Sequence, residues 1–296
     1  MTFDPLTSLS SISAELETSW RRFDEVYDTF TPQQWRKKFG KTWTYADQPW
    51  HQAYFDGTLA GFLAWGENIP AGEQFHLRSM GDLNDWNRRE FAKRPPGQTV
   101  QDSLRAMRES RDAVRAQLAT LSDATLSRRT WMPLIFGWTT ARDVLQAIIV
   151  HNVAEYWKLW IRTGKRSSAP TPDAVHLRLG FMMQFMPATM NRELAKRTPF
   201  TVWWRFEGPG GGDWTFEVQN GECTVSERAP LGADVSFRMK PETFHKLVAK
   251  MTPPPVLMLT RQMKVKGMRS MGTFAKLFPE PRPDQIIEPS AGFAAG

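Results

Sequence analysis

With 296 residues, 41% of them hydrophobic and 23% charged, the chain is too long for one core and too apolar for disorder, so two globular domains are expected. A single cysteine, Cys223, excludes an internal disulfide framework and a cysteine-rich zinc cage, which fits the cytoplasm; no leader-like start and no run of ~20 apolar residues suggests export or a membrane span. The net charge of +7 lies mostly in residues 166–296, where 17 basic side chains face 12 acidic ones, but these are scattered singly, which argues against nucleic acid and leaves a weak contact with anionic lipid head groups.

In chain order, Ile12, Leu16, Trp20, Phe23, Tyr27 and Phe30 recur at three- and four-residue intervals, the pattern of one buried helix face. Asp47-Gln48-Pro49 predicts a second helix running to Trp65 before Gly66, with His51, Phe55, Thr58, Phe62 and Trp65 inward. Thr99 to Asp102 is a capping-box variant opening a third helix seamed by Val100, Leu104, Met107, Val114, Leu118 and Leu121, with Arg111 on the same seam. Thr140 to Asp143 opens a fourth, which aligns Val144, Ile148, His151, Glu155 and Leu159. Four such helices predict an antiparallel bundle over residues 1–165.

His151 and Glu155, four apart, point the same way from one helix, and His51 lies on the inward stripe of another. Two imidazoles and a carboxylate converging in a bundle would suit a divalent ion such as Zn, Ni or Fe(II); the same spacing also serves a plain hydrogen-bonded pair. Arg111 is either a bundle-edge ion pair or an anchor for an acidic substrate in a catalytic site.

These residues carry a resemblance. The Trp43 to His51 stretch (WTYADQPWH) and the late pair His151/Glu155 (HNVAE) resemble the DinB-like superfamily, including the N-terminal domain of mycothiol-dependent maleylpyruvate isomerases. The resemblance implies a divalent-metal site at His51, His151 and Glu155 and, in the isomerase branch, a low-molecular-weight thiol as co-substrate. The chain departs from the common form in having Glu155 where a His is usual, and the isomerase branch uses the opposite order of Glu and His.

The stretch from Lys165 to Asp173 reads as a linker, placed at 166–174. A helical pattern follows from Val175 to Arg197, interrupted at Pro187. From Phe200 the period drops to two: strands are expected around Val202–Phe206, Trp214–Val218, Cys223–Val225 and Val235–Met239, with hairpin connections at Gly208–Gly212 and Asn220-Gly221. The glycine run lacks the Gly-Lys-Ser/Thr ending of a phosphate loop. A helix from Pro241 to Lys250, a break at Pro253-Pro254-Pro255, a short strand at Met263–Val265 and a closing helix around Phe274 and Leu277 complete the pattern.

The Ala233-Asp234-strand-helix order and the later MKVKGMRSMGTFAKLF resemble the sterol carrier protein-2 (SCP2-like) domain over residues 175–282, leaving 283–296 as a flexible tail. The fold expected is therefore a multidomain one, an all-α bundle followed by an α+β domain whose antiparallel-rich sheet is covered by helices. That family implies an apolar pocket for a lipid-like or other hydrophobic small molecule, with Met182, Phe185, Phe237, Phe244, Leu257, Met263, Met268, Met271 and Phe274 as candidate lining; taken singly, by period alone, these residues read as core. Two functions follow: a metal- and thiol-dependent isomerase or transferase, or a non-catalytic lipid carrier with the bundle as scaffold.

Overall fold

Capping chemistry sets where the helices start. The computed structural model describes residues 6–40, 43–133, 137–165 and 167–287. Ser8 accepts from the Ser11 amide at the head of α1 (Leu9–Tyr27), and Thr31 caps the short α2 (Pro32–Trp35). α3 spans Gln48–Trp65, α4 Met80–Ala92 and α5 Val100–Leu118; then come β1 (Arg129–Met132), β2 (Gly137–Thr140) and α6 (Ala141–Thr163). At Thr99 and Thr140 both halves of the capping box form, with Asp102 and Asp143 returning to the cap residue's amide. Asp47 does not cap α3 with its side chain: its carboxylate takes the Thr44 amide at 2.6 Å and pairs with Arg94.

Two compact units divide at Ala169 and Pro170, and the helical one also includes residues 282–287. Within it α3 and α6 are buried on nearly every side, because α5, α1 and the β1–β2 hairpin pack around them. The hairpin and α4 go beyond the four-helix expectation. α4 was not expected although Ser79–Asp82 forms a capping box at its head and Met80, Leu83 and Trp86 recur every three residues; Trp86 is its buried residue, set edge-on to Tyr54. The stretch 283–287, read as tail, is packed: Ile287 is buried and donates to the Arg78 carbonyl, while Gly81 donates to that of Pro283 at 2.7 Å. A Cβ at Gly81 would lie 2.8 Å from the Pro283 oxygen, so that approach requires glycine. The tail beyond residue 287 lies outside the described residues.

The second unit begins with α7 (Pro172–Phe185), which gives way at Pro187 to a 3-10 turn and then to α8 (Arg192–Ala195). Strands β3 (Phe200–Phe206), β4 (Gly212–Gln219), β5 (Glu222–Ser226), β6 (Val235–Met239) and β7 (Met263–Lys266) form one sheet in the order β5-β4-β3-β6-β7. The β3–β6 pair is parallel and the others antiparallel. α9 (Pro241–Val248), α10 (Pro254–Leu259) and α11 (Met271–Leu277) complete the unit. α10 stands where the prolines predicted a break. Pro253 is its N-cap and Pro254 and Pro255 fill its first turn, where no intrahelical amide is needed.

The motifs behind the second resemblance do a local job. Asp234 Oδ2 accepts from the Thr201 amide at 2.8 Å, aligning β6 beside β3. Gly267 has φ +78°, and a Cβ there would sit 1.9 Å from the Asp234 carbonyl, so the turn after β7 closes on the same residue. The core is aromatic: Trp204 stacks on Phe237 at 4.2 Å and meets Phe244 and Phe274 edge-on.

Candidate metal centre

His51 lies in the first turn of α3, and His151 and Glu155 lie a turn apart in the middle of α6. The packing of α3 against α6 brings the three together, with one donor atom from each within 4.8 Å of the others. The two Nε2 atoms are 3.0 Å apart, and each is 4.0 Å from Glu155 Oε1. Two imidazole lone pairs at that distance repel unless a proton or a cation lies between them.

The surroundings fix how these groups can act. Tyr54 donates to Asn87 Oδ1 at 2.7 Å, so its oxygen is left to accept from His51 Nδ1–H at 2.5 Å. His51 is thereby held as the tautomer whose Nε2 lone pair faces the cluster, the arrangement metal-binding histidines need. Burial, only partly offset by Glu155, lowers the His51 pKa to about 4, so the ring is neutral at physiological pH and can act as a ligand. The His151 ring stacks on Phe55 at 3.7 Å, which sets its plane. Trp43 packs on His51 and on Phe91, closing one side.

Burial opposes ionisation of Glu155, but the Lys158 ammonium prevails and holds the carboxyl below the usual carboxylate range. Since His51 is itself neutral, Lys158, 2.5 Å from Oε1, is the partner that matters most. Glu155 Oε2 is buried with no hydrogen-bond partner. A buried carboxylate oxygen left over beside two convergent imidazoles is the donor set a divalent ion completes. Around a tetrahedral ion with ~2.0–2.1 Å bonds, ligand atoms stand about 3.3 Å apart. The two nitrogens, 3.0 Å apart, are already within that spacing, and the carboxylate oxygen at 4.0 Å stands somewhat outside it.

Arg111, the candidate anchor for an acidic substrate, is buried with Nη1 2.8 and 3.0 Å from the two Asp24 oxygens, so its charge is already matched. Burial pushes the Cys223 thiol up to about 12, so no thiolate is at hand from the chain's own cysteine at neutral pH. Sequence reasoning missed Tyr54, Asn87 and Lys158. Tyr54 and Lys158 each lie three residues beyond a candidate ligand, the spacing at which helical neighbours touch, and that was the signal to follow. Asn87 sits on α4, outside the four helices expected.

In the second unit Phe237, Phe244, Leu257 and Met263 belong to the packed core, Met182, Phe185, Met271 and Phe274 are half-buried, and Met268 is exposed. No helix among the described residues is long and apolar enough to cross a membrane.

Residues 15–154 match the model of the DinB superfamily, and residues 185–278 match that of the SCP-2 sterol transfer family. Among solved structures, a mycothiol-dependent maleylpyruvate isomerase is similar over 93% of this chain and 96% of its own, with 10% identity and a TM-score of 0.52. Sterol carrier protein 2 from Yarrowia lipolytica, in its apo form, matches over 36% of this chain and 93% of its own, with 17% identity and a TM-score of 0.28. No curated protein sequence matches the chain.

Proposed function

Taking the chain as a DinB-superfamily domain followed by an SCP-2 domain, we propose that the helical unit holds one divalent metal ion on His51, His151 and Glu155 and serves a thiol-dependent isomerase or transferase reaction. The reading rests on one observation, the three donor atoms within 4.8 Å of one another at a largely buried place. A divalent ion there supplies Lewis acidity toward a thiol or a carbonyl beside it. The chain's own residues do the rest. Tyr54 and Asn87 hold the His51 tautomer, Phe55 orients His151, and Trp43 with Phe91 keeps water from one side of the cluster. The likeness to a mycothiol-dependent isomerase supports a low-molecular-weight thiol as co-substrate, and Cys223, protonated by burial, is not its substitute. The SCP-2 domain takes an apolar, lipid-like ligand against Met182, Phe185, Met271 and Phe274, which the core leaves half-buried.

Native mass spectrometry of the purified protein tests this. About one divalent ion per chain is expected, and both His51→Ala and Glu155→Ala should lose it, since removing a ligand exceeds the ~10–100-fold affinity loss that outer partners cause. Metal-free protein carrying lipid would instead favour the non-catalytic carrier.

A further inference from the structure

The Glu155 carboxylate, one of whose oxygens stands 4.0 Å from both imidazoles, is already held in place by another cation. Lys158, one turn beyond Glu155 on α6, reaches back to place Nζ 2.5 Å from Glu155 Oε1, the same atom that stands 4.0 Å from both imidazole Nε2 atoms. Those distances exceed the roughly 3.3 Å expected between ligands of a tetrahedral ion, while the two nitrogens are already close enough. The carboxylate is therefore drawn away from the imidazoles, toward the lysine. The two side chains differ in freedom: that of Glu155 is 4% exposed, that of Lys158 34%. The lysine can swing on its four-carbon stem, whereas the acid can only rotate in place.

Charge carries the argument further. A divalent ion, two neutral imidazoles, one carboxylate and one ammonium sum to two positive charges in a largely buried place, which is costly without an anion. Arg111 is matched by Asp24 and adds no free cation for a substrate. Resting on the reading of His51, His151 and Glu155 as metal ligands, we propose that Lys158 is a displaceable counter-ion of this centre: it yields Glu155 to the incoming metal and then anchors the carboxylate of an anionic substrate beside it. Lys158 thus competes with the metal before loading and selects acidic substrates after it.

The test uses the full-length protein. Co²⁺ is titrated calorimetrically into the native protein, Lys158→Met and Lys158→Gln, and succinate is then titrated into the Co²⁺-loaded forms while the visible cobalt spectrum is followed. Both variants should bind Co²⁺ about tenfold more tightly than the native protein, and their spectral response to succinate should need at least about tenfold more of it. Equal or weaker Co²⁺ binding by both variants, or an unchanged succinate response, overturns the proposal while leaving the native metal site standing. Variants that bind Co²⁺ where the native protein does not would uphold the competition and sink the metal reading of the native chain; no binding by any form sinks both.

Discussion

Both units have an apolar core, but they differ in the charge they bury with it. The helical unit encloses Glu15 with Arg22, Arg111 against Asp24, Asp56, and the His51–His151–Glu155 cluster. Among the described residues, the buried polar side chains of the sheet unit are Thr189, Thr215, Thr243 and His245, and the rest of its core is apolar. Burying charge is expensive and is tolerated where pairing or a ligand compensates, whereas an aromatic core gains from area and ring geometry alone. Polar chemistry therefore belongs to the helices, and the sheet is suited to apolar company.

The sharpest way to break that contrast is at Trp204. Truncating this buried ring to alanine removes its stack on Phe237 and its edge contact with Phe244, and should cost the sheet unit about 3–5 kcal/mol. Urea unfolding should show the loss, while metal content stays at the native level; metal lost together with sheet stability would mean that the two interiors are not separate. A smaller effect is expected at Asp56, whose carboxyl burial lifts from the usual 3.8 to about 7 against the pull of Arg111 and the Trp20 hydrogen bond. Between about pH 4 and 7 the folded chain then holds a proton that the unfolded chain has released, so stability falls as pH rises through that window and the loss is complete above it. Asp56→Asn should remove roughly 2–3 kcal/mol of this decline between pH 5 and 8. A variant with the native slope would show that Asp56 is ionised throughout.

Much of this was legible in the sequence because short-range chemistry dictated it. The boxes at Thr99 and Thr140, the stop at Gly66, the two-residue period of β3 and β4 and the interruption at Pro187 each depend on neighbours in the chain. α4 was readable in the same way, from the capping box at Ser79–Asp82 and the short stripe of Met80, Leu83 and Trp86, but only Trp86 is buried and that stripe is faint among polar neighbours. α10 was hidden because three prolines break a helix interior yet suit its first turn, and nothing in sequence says which applies. In the site, the His151/Glu155 pair follows from helix geometry, whereas the approach of His51 depends on how α3 packs on α6, which no local pattern encodes. Arg111 shows the converse. Its seam position was visible, but the Asp24 that occupies it comes from another helix.

The finest cut falls on Tyr54, the contact between polar centre and aromatic wall. Its ring lies against Trp86 and Phe91 while its hydroxyl joins His51 to Asn87, so Tyr54→Phe keeps the wall and removes only the bridge. Without that oxygen His51 Nδ1 loses its acceptor, and the ring is free to carry its proton on Nε2, the atom the metal needs. Metal affinity should fall by about 10–100-fold, with thermal stability changed far less than by the loss at Trp204. Calorimetric titration of Co²⁺ into native and variant protein reads the first, and thermal unfolding of both the second. An unchanged affinity would mean that α3 packing alone orients His51; a collapse in stability would mean that the hydroxyl belongs to the wall and not to the centre.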